Sequence, residues 1–79
     1  MVDVLLPELG EGVEKATIAC YHHNVGDTIK KNDDVVEVVT DKATFNVPAT
    51  SDGIIKELCF MEGDEAPIGS VLFKLEPGH

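Results

Sequence analysis

An internal repeat constrains this sequence more than any other feature. Gly26-Asp27 and Gly63-Asp64 lie 37 positions apart, and the residues around them align without a gap. Asn32 then falls on Gly69, and asparagine is the non-glycine residue that best tolerates a positive φ. Each half is too small to bury its apolar face alone, so two related halves must pack face to face. The matched apolar pairs are Ile18 with Ile55, Tyr21 with Leu58, Val35 with Leu72, Val36 with Phe73 and Val38 with Leu75.

The composition indicates that both halves are built from β-strands. The 79 residues include 20 Val, Ile and Thr against 13 Ala, Leu and Met, and β-branched side chains favour strands over helices. Seven Gly and four Pro punctuate the chain at short intervals, as turns between short strands require. We predict an all-β domain, a flattened barrel or sandwich (a barrel-sandwich hybrid) of two four-stranded antiparallel sheets with internal pseudo-two-fold symmetry. The predicted strands are 2–6, 16–23, 28–29, 34–40, 43–48, 53–60, 66–68 and 71–76.

The length and the net charge of the chain limit the classes of function that it can have. Residues 1–76 are predicted to form one domain, and residues 77–79 to begin a linker. Six Lys, no Arg and 15 Asp and Glu give a net charge of −9. This balance argues against nucleic-acid and anionic-membrane binding, because both need clustered cations. We expect no membrane span, since no apolar run approaches about 20 residues, and no signal peptide. Two cysteines make no disulfide framework, so reduced thiols in a reducing compartment are expected.

One hairpin breaks the symmetry of the repeat. The strand 34–40 runs straight into 43–48 through Asp41-Lys42, whereas its counterpart in the second half ends at Glu76-Pro77. Asp-Lys lacks the Gly or Asn that primed hairpin turns favour, so we predict a type I turn with these two residues at its centre. Side chains alternate between the faces of a strand. The pairs Val36 with Val47 and Val38 with Phe45 then share the inner face, and the pairs Glu37 with Asn46 and Val39 with Thr44 share the outer face.

This turn places Lys42 at the apex of a stiff ribbon, far from the core. A nucleophilic lysine needs burial or neighbouring cations to lower its pKa, and the sequence around this turn offers neither. The position suits an amine that is presented to another enzyme. An ordinary solvated turn lysine is the alternative interpretation.

Several motifs carry a resemblance to a known family. Asp41-Lys42-Ala43 at the turn, Gly-Asp before each half, Leu9-Gly10-Glu11-Gly12 in the first loop and Val47-Pro48-Ala49 after the hairpin are the matching elements. Together they resemble the lipoyl domain of the dihydrolipoyl acyltransferase component of 2-oxo acid dehydrogenase complexes. The resemblance covers residues 4–76, and the family fold of two four-stranded antiparallel sheets agrees with the fold predicted above.

The resemblance implies that Lys42 carries lipoic acid in amide linkage, with Asp41 and Ala43 as flanking recognition residues. This swinging arm would move acyl groups and reducing equivalents among a 2-oxo acid decarboxylase component, the acyltransferase core and dihydrolipoyl dehydrogenase, after attachment by a lipoyl ligase or transferase. The chain is then expected to be a monomeric carrier. We predict that it is not an enzyme by itself, because neither His22 nor His23 has the Asp-Gly three residues later that the family's catalytic domain uses. The prokaryotic cytoplasm is preferred over the mitochondrial matrix.

One departure from the family concerns partner recognition. Many relatives carry Glu three residues before the modified lysine, and Val39 occupies that place here. Specificity for a particular decarboxylase or attachment enzyme is therefore left open. We predict a partner-facing surface that consists of Val39, Asp41, Ala43, Leu9, Gly10, Glu11 and Gly12.

Other carriers and other classes of protein are alternatives. Biotinyl domains share the fold, but their attachment lysine lies between methionines, and the methionines here are Met1 and Met61. The glycine-cleavage carrier protein is also lipoylated but is longer, with helical segments. An unmodified interaction module would use the acidic surface to bind a basic partner.

A metal site is the remaining alternative, raised by Cys20, His22, His23 and Cys59. Adjacent His22 and His23 point to opposite faces of a strand, so at most Cys20 and His22 share a side. Half-buried thiols and surface imidazoles account for all four residues, and we predict no metal site.

Overall fold

A computed structural model describes residues 1–77 of the chain, and residues 78 and 79 of the predicted linker lie outside the described residues. Within this range no helix is long and apolar enough to cross a membrane. The described chain folds into eight short strands: β1 Val2–Leu5, β2 Lys15–Tyr21, β3 Thr28–Ile29, β4 Asp34–Val39, β5 Thr44–Pro48, β6 Gly53–Leu58, β7 Glu65–Pro67 and β8 Val71–Glu76.

The strands form two four-stranded antiparallel sheets, ordered β1-β8-β6-β3 and β5-β4-β2-β7. The prediction of an all-β, two-sheet domain is confirmed, and across the described residues the sheets stay open and do not close into a barrel. β1 pairs with β8 in the way that β5 pairs with β4. The first strand of the chain therefore completes the second half of the repeat.

Reciprocal backbone hydrogen bonds join the two halves. The Gly26 amide donates to the Ile55 carbonyl at 2.8 Å, and the Gly63 amide donates to the Ile18 carbonyl at 2.8 Å. Both glycines have positive φ, 96° and 91°, which side chains with a Cβ rarely adopt. The turn after β2 thus bonds to β6, and the turn after β6 bonds to β2, which are the two strands that the repeat relates. The predicted repeat is confirmed.

The second pair of related turns also follows the repeat. Asn32 has φ 77° and Gly69 has φ 88°, so asparagine fills the left-handed position that the sequence assigned to it. The Asn32 amide donates to the Ala49 carbonyl and the Gly69 amide to the Leu6 carbonyl, both at 2.9 Å. Ala49 and Leu6 are both buried and follow β5 and β1, which shows again that β1 is the counterpart of β5.

Matching β-bulges interrupt the sheets. The register shifts that surround Val35 in β4 and Leu72 in β8 each leave one extra residue on that strand. Those at Ala19 in β2 and Lys56 in β6 do the same. An extra residue bends and twists its strand. Because of the bulge, Val35 and its neighbour Val36 are both fully buried, which simple alternation does not predict.

The predicted strands 16–23 and 53–60 run two residues too far at their carboxyl ends, since β2 ends at Tyr21 and β6 at Leu58. Both strands end at turns that an aspartate stabilises. The Asp27 carboxylate accepts the Asn24 amide at 2.8 Å, and the Asp64 carboxylate accepts the Met61 amide at 3.0 Å. Aspartate caps of this kind compete with sheet hydrogen bonds for the backbone, so the chain leaves the sheet earlier than its apolar pattern indicates.

The core lies between the inner faces of the two sheets. Phe73 is the largest fully buried side chain, while Phe45 and Phe60 are partly buried and pack against the core. The Tyr21 hydroxyl donates to the Phe60 carbonyl at 2.6 Å, which satisfies a half-buried phenol. The buried apolar residues are Val4, Leu6, Ala16, Ile18, Ile29, Val35, Val36, Val38, Val47, Ala49, Ile55, Ala66, Leu72, Phe73 and Leu75.

Candidate functional site

The β4–β5 hairpin has the register that the sequence predicted. Val36 and Val38 are fully buried on its inner face, opposite buried Val47 and half-buried Phe45. These apolar side chains on both strands fix the pairing, because a slip of one residue would rotate them from the core to the solvent-facing side. The complete set of confirmed pairs is Val36 with Val47, Glu37 with Asn46, Val38 with Phe45 and Val39 with Thr44.

Thr40 fastens the tip of this hairpin. Its amide donates to the Ala43 carbonyl at 2.8 Å. Its hydroxyl donates to the same carbonyl at 3.1 Å and accepts the amides of Lys42 and Ala43 at 3.2 and 3.1 Å. One hydroxyl can donate once and accept twice, so this side chain uses its whole hydrogen-bonding capacity within the turn. Sequence reasoning missed Thr40, although a threonine just before a two-residue turn is a signal for this motif.

The backbone of the turn agrees with the prediction of an unprimed type. Asn32 is the one non-glycine residue with positive φ among residues 1–77, so Asp41 and Lys42 both have negative φ. Primed turns need positive φ. The Thr40 hydrogen bonds take over the ordering that glycine and asparagine provide in primed turns, which explains how Asp-Lys can occupy this tip.

Lys42 is exposed at the end of the hairpin, as are its neighbours Asp41 and Ala43. The ion pairs that lysines make within residues 1–77 join Lys15 to Glu65 and Lys56 to Glu76, and neither pair involves Lys42. Its ammonium group is therefore free for another molecule to approach, while the backbone below it is held by three hydrogen bonds to the Thr40 side chain.

A cleft of about 430 Å³ opens beside the tip. Its walls come from the loop before β2, the start of β2, the end of β4 and Glu65 of β7. Thr17 faces Val39 across the β2–β4 pairing, and this pairing carries the first loop to the hairpin. The lining residues are Gly12, Val13, Glu14, Lys15, Ala16, Thr17, Val39, Thr40, Asp41 and Glu65.

The structure brings together part of the predicted partner surface. Gly12, Val39 and Asp41 line the same cleft, and Val39 is 37% exposed, so an apolar side chain faces solvent there. Leu9 is half-buried and packs against the core, while Gly10 and Glu11 are exposed outside the cleft. The role of these residues in partner recognition stays a prediction.

Fold and site together define a class: a pseudo-symmetric β-sandwich that holds a lysine at the tip of a rigid hairpin. A family model for biotin and lipoyl attachment domains, described as "Biotin-requiring enzyme", matches residues 2–75. The solution structure of the lipoyl domain of the 2-oxoglutarate dehydrogenase complex from Azotobacter vinelandii superposes with a TM-score of 0.77. It is 34% identical, and the match covers 99% of this chain and 100% of that one. The chain belongs to the biotinyl and lipoyl domain family.

Longer relatives also match this chain. It is 39% identical over 74 residues to the dihydrolipoyllysine-residue succinyltransferase component of the 2-oxoglutarate dehydrogenase complex of Haemophilus influenzae, covering 94% of this chain and 18% of that protein. It is 34% identical over 71 residues to the dihydrolipoyllysine-residue acetyltransferase component of the pyruvate dehydrogenase complex of Staphylococcus aureus, covering 90% and 16%. The chain thus spans less than a fifth of these relatives.

A more distant structure shares the fold alone. Urea carboxylase from Kluyveromyces lactis superposes with a TM-score of 0.78 at 20% identity, over 94% of this chain and 6% of that protein. Its similarity supports the two-sheet architecture that positions the hairpin and carries no argument about function.

Proposed function

We propose that this domain is a lipoyl carrier whose Lys42 bears lipoic acid in amide linkage to its side-chain amine. The observation that carries the proposal is the exposed Lys42 at a hairpin tip that Thr40 fastens with three side-chain hydrogen bonds. An attachment enzyme needs an accessible amine on a backbone of defined shape. This tip supplies both.

The residues at the tip fit the proposed group. Amide formation removes the positive charge of Lys42, and within residues 1–77 no ion pair of that side chain would be lost. Exposed Asp41 and small Ala43 leave space on either side of the amine. When bound, lipoic acid supplies a dithiolane that takes up an acyl group and electrons, so the reactive chemistry belongs to the cofactor.

The protein's own contribution is position. The hydrogen bonds of Thr40 hold the turn in one shape, and the buried anchors of β4 and β5 hold the hairpin on the sandwich. A tethered group reaches neighbouring active sites at an effective concentration of the order of millimolar without free diffusion. Asp41 and Ala43 are the proposed recognition residues on each side of the attachment point. The domain is not catalytic alone under this proposal.

Lipoic acid is favoured over biotin for this member of the family. The flanking residues of Lys42 are Asp41 and Ala43, whereas the two methionines of the chain are Met1 and Met61. Both methionines are exposed, and Met61 lies in the turn after β6. The hairpin tip thus lacks the methionine neighbours that the resemblance assigns to biotinyl domains.

The proposed partners are those of a 2-oxo acid dehydrogenase complex: its decarboxylase component, its acyltransferase core, dihydrolipoyl dehydrogenase and a lipoyl ligase. Identity is 39% to the 2-oxoglutarate-complex relative and 34% to the pyruvate-complex relative, which favours 2-oxoglutarate as the first substrate to test. We place the domain, as a monomer, in a prokaryotic cytoplasm because both thiols are free and the two acyltransferase relatives named above come from bacteria.

Co-expression with a lipoate ligase in the presence of lipoic acid tests this proposal. Intact mass spectrometry of the chain should show the gain of a single lipoyl group. Lys42→Arg should abolish the gain, while Lys31→Arg should keep it, since Lys31 is also exposed and follows a short strand. No gain in the wild type, or a gain that survives Lys42→Arg, would refute the assignment. Biotinylation by a biotin ligase under the same conditions would favour the other branch of the family.

A further inference from the structure

We propose that Cys20, His22 and Glu37 form a zinc site on the outer face of the sheet β5-β4-β2-β7. Each side chain offers one ligand atom, and these atoms all lie within 4.8 Å of one another. Cys20 and Glu37 are half-buried and His22 is exposed, so a metal ion reaches the cluster from solvent without any unfolding. The cluster is separate from the Lys42 tip and from the function proposed for it.

The β-bulge in β2 brings these residues together. The register with β4 shifts between Ile18 and Cys20, and Cys20 then lies directly opposite Glu37. His22 follows two residues later on the same face, and its amide donates to the Val35 carbonyl at 2.7 Å, which keeps it beside β4. The prediction of no metal site considered only the two cysteines and the two histidines 22 and 23, whereas the structure adds Glu37 opposite Cys20.

The donor set suits zinc. Thiolate, imidazole and carboxylate are the three ligand types that zinc accepts, at distances of about 2.0–2.3 Å. Such distances put the ligands of a tetrahedral site about 3.3–3.8 Å apart. The separations of up to 4.8 Å in this cluster therefore need side-chain movements of about 1 Å, which partly exposed side chains on a fixed backbone can make. Water completes the tetrahedron.

Asn46 is a positioning residue for this site. Its side-chain oxygen lies 3.0 Å from Nε2 of His22, and Asn46 is paired with Glu37 across the β4–β5 hairpin. A hydrogen bond on one imidazole nitrogen fixes the ring and leaves the lone pair on the other nitrogen for a metal. Three adjacent strands thus contribute to one constellation.

The repeat supplies an internal comparison. Glu57, Cys59 and Lys74 occupy the positions that correspond to Cys20, His22 and Glu37, and Glu57 is paired with Lys74 as Cys20 is with Glu37. The Cys59 thiol lies 3.7 Å from a carboxylate oxygen of Glu57, so two donors are present there too. An ammonium group in place of the third donor repels a cation. The two halves therefore share this backbone geometry, but only the first half carries three side chains that can bind a metal ion.

Cobalt and zinc titrations of the reduced, unmodified 79-residue chain test the site. The unmodified chain is used because the dithiol of a reduced lipoyl group would compete for the metal. Co²⁺ should give a near-ultraviolet thiolate-to-metal charge-transfer band that saturates at one equivalent, and Zn²⁺ should abolish this band by displacement. Cys20→Ser should remove the band. Glu37→Gln and His22→Gln should each weaken Zn²⁺ binding at least about tenfold, as loss of even an orienting partner does.

Three matched substitutions in the same chain separate this site from adventitious binding. Cys59→Ser, His23→Gln and Glu57→Gln remove the same chemical groups elsewhere and should leave both the band and the Zn²⁺ affinity unchanged. A wild type without a charge-transfer band would overturn the proposal. So would a band that survives Cys20→Ser, or affinity that Glu37→Gln and His22→Gln both leave intact. Circular dichroism of each variant verifies that the fold is retained, and Glu37→Gln keeps the test valid if Cys20→Ser does not fold.

Discussion

Replacement of Thr40 by valine removes the hydroxyl that fastens the Lys42 turn and keeps the size of the side chain. The hydroxyl makes three hydrogen bonds of 3.1–3.2 Å within the turn. These are at the long end of the normal range, and water can replace them at an exposed tip. We therefore assign each a net value of about 0.5 kcal/mol, at the lower end of measured contributions. The closed turn should lose about 1.5 kcal/mol in total.

Amide hydrogen exchange measures this loss where it occurs. The amide of residue 40 is protected by its 2.8 Å bond to the Ala43 carbonyl and exchanges when the tip opens. A loss of about 1.5 kcal/mol makes opening about tenfold more frequent, so exchange at this amide should accelerate about tenfold in Thr40→Val. Amides in the core strands should be unaffected, because the tip can open without the sandwich.

Two further variants complete the experiment. Thr40→Ser keeps a hydroxyl and should restore most of the protection. Thr44→Val is the matched control, since Thr44 is exposed on the outer face of the same hairpin, and it should exchange as the wild type does. If Thr40→Val exchanged within about twofold of the wild type at this amide, the hydroxyl would not be what orders the turn.

Three other perturbations have defined outcomes. Val39→Lys should slow reductive acylation of the lipoylated domain by the proposed decarboxylase partner. Val25 is an exposed valine in the turn after β2, and Val25→Lys should leave the rate unchanged; equal rates for the two variants would remove Val39 from the partner surface. Gly53→Ala places a Cβ 2.6 Å from a backbone oxygen of β8 and should lower stability by about 1–3 kcal/mol in denaturant melts; an unchanged midpoint would contradict this. Burial raises the pKa of Tyr21 to about 12, above the ordinary value of about 10. Between these two pH values the folded state keeps a proton that the unfolded state loses. The contribution of Tyr21 to the free energy of unfolding is therefore complete below about pH 10 and is lost as the pH rises through about 12. Tyr21→Phe should flatten the plot of melting temperature against pH in this range, and a slope that the substitution leaves unaltered would contradict the reasoning.

The hairpin shows how far sequence reasoning reaches. Its register followed from two facts that the sequence contains, the alternation of apolar side chains and the position of a two-residue turn. Val36 and Val38 had one way to face the core, and that choice fixed every other pair. Asn32 was predictable for a similar reason, since the repeat put it on a glycine and few residues adopt its φ of 77°.

The parts that escaped prediction depend on spatial neighbours. A β-bulge changes which residues face each other without changing the local pattern, so the pairing of Cys20 with Glu37 could not be found from alternation. Nothing in the sequence of β1 says that it completes the second half, because its partner β8 is far away in the chain. Thr40 is different, because a threonine just before a two-residue turn is a signal that the sequence does contain.

The position of β1 beside β8 has a use in protein design. Val2 faces Leu75 as Phe45 faces Val38, so the strands β8 and β1 form an unclosed copy of the β4–β5 hairpin at the symmetry-related pole of the molecule. A short connector with the sequence of residues 40–43, built between β8 and β1, would circularise the polypeptide and create a second loop bearing a lysine. A ligase that recognises only the shape of the loop would then lipoylate both loops and give a carrier with two lipoyl groups. A ligase that recognises the surrounding surface would lipoylate a single loop.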